Sequence, residues 1–268
     1  MNREQLKQYA LELDQHLRSD TFPLGIKVVK NEADLPAKAK RPLRDMNLHV
    51  TICQGISMAR RYGWTVAMGG EDLSCPIAQT AFGFEPVLDY YEEGTLACGM
   101  YTDSPDTGKL TELDVPKFTR EESGYVVVGP LGRIDFEPDT VLVYGNSAQV
   151  MRLTAAALYK RGGSIPSTFS ARADCADIVI KTFQTGEPQV ILPCYGDRLF
   201  GQTQDNEMAF TIPYARMAEL SEGLAGTHKG GIRYPIPHFI RYEAEFPQSY
   251  QKLTELFAAE KQKQQGNA

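Results

Sequence analysis

Five cysteines carry the chemistry most readily read from this chain: Cys53, Cys75, Cys98, Cys175 and Cys194. Four of them fall in two matching settings. Cys53 opens a predicted helix, Gly63 breaks it, Trp64–Met68 reads as a strand, and Cys75-Pro76 follows. Later, Cys175 opens a predicted helix, Gly186-Glu187-Pro188 breaks it, and a short apolar strand runs into Pro193-Cys194. The separations are 22 and 19 residues. Helix N-termini and strand ends are where α/β proteins build sites, because free N–H groups and the helix dipole stabilise thiolate charge. A proline beside a ligand removes a donor and stiffens the loop, and Cys75-Pro76 and Pro193-Cys194 both have one.

The expectation is that these four sulfurs meet and hold an iron–sulfur cluster, [4Fe–4S] in preference to [2Fe–2S], with structural zinc as the alternative. Any one free cysteine is more often a small buried hydrophobe. Ligation therefore rests on the pairing, since no C-x-x-C occurs. Cys98 has no counterpart in the other setting and reads as structural, or as a replacement ligand.

Polar residues flank both pairs. Tyr195-Gly196-Asp197-Arg198 follows Cys194, and Gly70-Glu71-Asp72 precedes Cys75. If the two settings face each other, Glu71, Asp72, Asp197 and Arg198 line one mouth. Glu71, Asp197 and Arg198 are then the expected cofactor-binding residues, tuning potential or orienting a ligand from just outside the sulfurs. An internal salt bridge in the Asp197-Arg198 turn is as good a reading. Tyr144-Gly145-Asn146-Ser147 marks a strand-to-helix turn able to hold an anion, but it lacks the glycine spacing of nucleotide loops. His16, His49, His228 and His238 form no metal spacing; only His49, close to Cys53, suggests a proton-transfer role.

The bulk numbers narrow the function classes. A net charge of −6 argues against a nucleic-acid binder, which needs a basic footprint. No run approaches the about 18 apolar residues of a membrane helix. The N-terminus is polar at once, unlike a signal peptide. A cytoplasmic protein is expected, and its cysteines are then reduced thiols or metal ligands rather than a disulfide framework.

Periodicity supplies the elements. Residues 3–18 suit an amphipathic helix, and Leu24–Val29, Tyr125–Val128, Thr140–Tyr144 and Met208–Ile212 read as strands. Helices are expected over 49–62, 77–82 (capped by Asp72 or Ser74), 87–93, 148–161 (capped by Ser147), 214–224 and 248–262. Residues 94–121 read as a long connection. The fold class is α/β, with mixed sheet or sheets and flanking helices in two pseudo-repeated halves. The expected divisions are a helix over 1–21, halves at 22–130 and 131–227, and a terminal segment at 228–268, all in one compact unit.

Phe22-Pro-Leu-Gly-Ile-Lys-Val28, Cys53-Gln-Gly-Ile-Ser-Met-Ala-Arg-Arg-Tyr-Gly63, Glu71-Asp-Leu-Ser-Cys75 and Pro193-Cys-Tyr-Gly-Asp-Arg198 together resemble the prokaryotic family called domain of unknown function 169. The resemblance runs from about Phe22 to Leu224. It implies a cytoplasmic setting in anaerobes and archaea and supplies no catalytic residues. The leading expectation is a redox iron–sulfur protein, either an electron carrier or a small-molecule reductase. Such a protein works with a redox partner protein or a small substrate, and has no nucleic acid or membrane partner; a homo-oligomer is compatible with it. The rival is a non-redox module that binds a small acidic metabolite at Asp197-Arg198, with structural cysteines or zinc.

Overall fold

The computed structural model describes residues 2–236 and 243–266; His238 lies outside them. Six strands form one sheet: β1 (Leu24–Val29), β2 (Val66–Gly69), β3 (Tyr125–Pro130), β4 (Thr140–Asn146), β5 (Gln189–Ile191) and β6 (Glu207–Pro213). Their order is β2-β3-β1-β4-β6-β5. Every pairing of named strands is antiparallel, so the sheet is not mixed.

Outward from the central β1–β4 pair, the order runs β3, β2 on one side and β6, β5 on the other. First strand, third and second of each half thus occupy matching places.

Alternation along the strands builds two cores, because successive side chains point to opposite faces. Leu24, Ile26, Val66, Met68, Val126, Val128, Leu142 and Tyr144 face one layer. That layer includes α3 (Ile52–Tyr62), α4 (Pro76–Ala81) and a continuous helical stretch from α8 (Asp174–Ala176) to α9 (Thr182–Thr185). Val29, Ala67, Val127, Val141, Val143 and Phe210 face the other layer, made by α1 (Arg3–Leu17), α7 (Ser147–Leu158) and α11 (Met217–Lys229). α3 lies close against β2 through Gly55, where an added Cβ would meet Met68 Sδ at 2.2 Å. The nearly continuous apolar runs of β3 and β4 follow from burial on both sides.

Shorter helices complete the chain: α2 (Pro42–Met46), α5 (Asp89–Glu92), α6 (Pro105–Asp114), α10 (Tyr195–Phe200) and the exposed α12 (Gln248–Gly266). Residues 94–121 were expected to be a connection, yet they contain α6. Two expected caps also differ. Asn146, not Ser147, caps α7, its carboxamide accepting from Ala148 and Gln149 N–H. Cys75 occupies the N-cap of α4 without a side-chain hydrogen bond. Asp72 is instead drawn inward, accepting from Gly69 N (2.9 Å), Leu43 N (3.1 Å) and Arg41 Nε (2.9 Å).

Candidate functional site

Each paired cysteine sits where a helix begins. Thr51 and Gln54 form a reciprocal capping box at the start of α3, which fixes the turn that carries Cys53. Thr51 Oγ1 lies 2.9 Å from Cys53 Sγ. Cys75 and Cys194 are the N-cap residues of α4 and α10. Cys175 is the second residue of α8, directly before a π-helical turn at Asp177–Lys181. Such turns are frequent at functional sites.

Packing crosses the two halves. α3, which bears Cys53, packs on α10, which Cys194 caps; α4, capped by Cys75, packs on α8, which bears Cys175. The Cys53 thiol donates to Gly196 O at 3.8 Å, joining the halves directly. Cys175 has Cys75, Cys53 and Cys194 as electrostatic neighbours. Cys98 is apart from this group, donating to Asp103 O at 3.8 Å.

All five cysteines are free. Burial pushes the Cys53 thiol up to about 12, and Asp197, Asp174 and Cys75 nearby add to it, against the lowering contact from Thr51. Cys194 and Cys175 are raised by burial first and then by Asp174. Cys175 is only partly buried as a residue, yet its sulfur is enclosed.

Two carboxyls share the enclosure. Cys194 donates to Asp174 Oδ1 at 2.9 Å, while Asp174 Oδ2 is buried without a partner. Asp197 accepts from the Tyr144 hydroxyl at 3.0 Å and Thr203 Oγ1 at 2.8 Å. Burial drives Asp174 well above the carboxylate range, and the facing Asp197 drives it further.

The nearby cations are already engaged. Arg60 lies 4.1 Å over the Tyr144 ring, but Glu207 takes its guanidinium at 2.6 and 3.0 Å. Arg172, two residues before Asp174, is held by Glu112 of α6 and lies 4.7 Å over Tyr101. The region therefore gathers soft sulfur donors and acidic oxygens without a free positive charge.

The expected polar residues take separate places. Asp197 is inside, as described. Arg198 turns away and donates to Gln204 O at 2.6 Å. Glu71 and Asp72 both pair with the buried Arg41. The four do not line one mouth. Asp174, Arg60, Glu112 and Arg172 were missed by sequence reasoning, and Tyr144 was read only as the start of a turn able to hold an anion. Of the missed residues, only Asp174 carried a signal, as the immediate neighbour of Cys175.

The donor types fit a thiophilic metal, and the orphaned Asp174 oxygen marks an uncompensated polar site. Among the described residues, however, no three or more His, Cys, Asp or Glu side chains stand at metal-holding spacing.

A family model, DUF169, described as "Uncharacterised ArCR", matches residues 12–223. The chain belongs to the DUF169 family. An uncharacterized protein of Methanocaldococcus jannaschii is 25% identical over 228 residues, covering 84% of this chain and 95% of that protein. No solved structure matches. The DUF169 match takes in both cysteine pairs, Asp174 and Asp197, whereas α12 lies beyond it. No helix among the described residues is long and apolar enough to cross a membrane.

Proposed function

We propose that this DUF169 chain is an iron–sulfur protein with a redox role, an electron carrier or a small-molecule reductase, in a reducing cytoplasmic setting. Cys53, Cys75, Cys175 and Cys194 hold the cluster, [4Fe–4S] in preference to zinc. The observation that carries this reading is the packing of α3 on α10 and of α4 on α8, with the Cys53 thiol reaching Gly196 O, which brings helix starts bearing four cysteines from distant parts of the chain against one another in pairs.

A bound cluster supplies one-electron transfer. The chain's own residues prepare the enclosure. Tyr144 and Thr203 fix Asp197 as part of the wall. Arg41 holds Glu71 and Asp72, setting the turn that leads to Cys75. Arg198, bound to the Gln204 carbonyl, closes the loop after α10. Loading requires Cys53 and Cys194 to lose their protons, and with them the hydrogen bonds to Gly196 and Asp174. Cys53, Cys75, Cys175 and Cys194 would hold such a group as thiolates.

Anaerobic purification or reconstitution with ferrous iron and sulfide tests the reading through metal analysis and the visible spectrum. Brown protein that loses its colour on Cys194→Ser supports it. Zinc without colour would make the site structural. Protein that takes up no metal would overturn it and favour structural cysteines.

A further inference from the structure

A second site lies at the other end of α3 from Cys53. A recess of about 610 Å³ opens between α1, the turn before β1 and the turn after β3. That volume is typical of small-molecule sites. Its walls are largely apolar, with Ala10, Leu11, Phe22, Pro23 and Pro130 prominent. Leu11 and Phe22 are exposed there, although the Leu6, Leu13 and Leu17 side chains of the same helix are buried.

The charges around it are unequal. Lys7, Arg60, Arg61 and Arg133 line the recess against Asp14 and Asp20, which sit on its exposed rim. Glu207 neutralises Arg60, Arg61 turns to Gln202 O and Glu207, and Lys7 pairs with Glu4. Among the described residues Arg133 has no acidic partner, and its guanidinium lies 4.4 Å over the Phe22 ring. The Ser19 hydroxyl, also on the lining, is enclosed without a hydrogen bond. An unpaired guanidinium on an aromatic plane and an apolar floor together recognise one ligand chemistry.

We infer that this recess binds a small organic carboxylate with an apolar body. The carboxylate pairs with Arg133, and the body lies against Leu11 and Phe22. The inference is independent of the cysteine site, since none of the cysteines lines the recess.

Isothermal titration with benzoate and hexanoate, beside the neutral benzamide and hexanamide, tests it. Saturable binding of a carboxylate, about tenfold or more tighter than its amide, is expected. Arg133→Ala should weaken that binding about tenfold and Arg133→Lys less, because the ammonium keeps the charge but loses the fork. Leu11→Ala should weaken it severalfold by removing apolar contact. Both side chains are exposed, and circular dichroism of each variant checks that the fold is kept. No saturation by either carboxylate up to about 10 mM, equal binding of the amides, or unchanged affinity in Arg133→Ala would overturn it. Metal content is unaffected in either outcome, so failure here leaves the iron–sulfur reading standing.

Discussion

The Cys194 thiol donates to Asp174 Oδ1 at 2.9 Å, tying the turn after β5 to the helix that bears Cys175. That contact joins the two sulfur-bearing loops of the second half, while Cys53 reaches across to Gly196 from the first. Three stretches distant in sequence, at Cys53, at Asp174–Cys175 and at Cys194–Gly196, are thereby held in one place.

Alkylation should discriminate among the cysteines. Burial raises Cys53, Cys175 and Cys194, so the metal-free protein holds them as unreactive thiols at neutral pH. With iodoacetamide and mass spectrometry under native conditions, Cys98 should be modified well before these three. Labelling of Cys53 as fast as Cys98 would contradict the enclosure described.

Asp197→Ala should destabilise the fold by about 2–3 kcal/mol, because the Tyr144 and Thr203 hydroxyls lose their acceptor in a buried setting. Asp174→Asn should cost far less, about 1 kcal/mol or under, since burial and the facing Asp197 already favour the neutral form of Asp174 and the amide keeps its shape. Urea denaturation of the metal-free variants gives both values. A larger loss for Asp174→Asn than for Asp197→Ala would refute this account of the pair.

Glu112 and Arg172 form a buried ion pair that anchors α6 to the segment before Cys175. Removing one partner leaves an uncompensated charge, so Glu112→Ala should cost about 3–5 kcal/mol. The paired replacement Glu112→Leu/Arg172→Met should recover much of that loss. Equal destabilisation by the single and double variants would show that packing, not charge, dominates there.

His16 should make the fold lose stability on mild acidification. Burial lowers His16 below its ordinary value of 6.5, with His228 and Arg152 reinforcing the effect and Glu12 opposing it. The folded state therefore binds fewer protons at this residue than the unfolded chain does. Its contribution is present above the unfolded value and is lost as pH falls through the lower folded value. The buried Asp174 and Asp177, whose carboxyls are raised, act in the opposite sense, so the test is a difference between proteins. Between about pH 7 and pH 5 the denaturation midpoint of His16→Leu should gain on that of the wild type. A constant difference across that range would remove His16 as a contributor.

Much of the fold was legible because burial on both faces writes continuous apolar runs into the sequence. Leu24–Val29, for example, is the same in the expected and observed strand. The strand order was not legible, since antiparallel pairing across halves depends on register that no local pattern states. α6 was missed because its signal is inverted: Leu110 and Leu113 are exposed, while Gly108 and Glu112 are buried. Cys53 and Cys175 were readable as opening helices, whereas Cys194 was read only as following a strand and the short helix α10 that it caps was missed. Asp174, Tyr144 and Asp197 were not readable as a network, because an acidic residue in sequence looks like surface until a fold encloses it.

Iron and sulfide content across the five single Cys→Ser variants tests the central claim most directly. Each protein would be reconstituted anaerobically under identical conditions. The four-sulfur account predicts bound iron and sulfide in equal amounts in the wild type and in Cys98→Ser. It predicts loss or strong depletion in the variants of Cys53, Cys75, Cys175 and Cys194. Uniform content across all five variants, or no iron in the wild type, would contradict it.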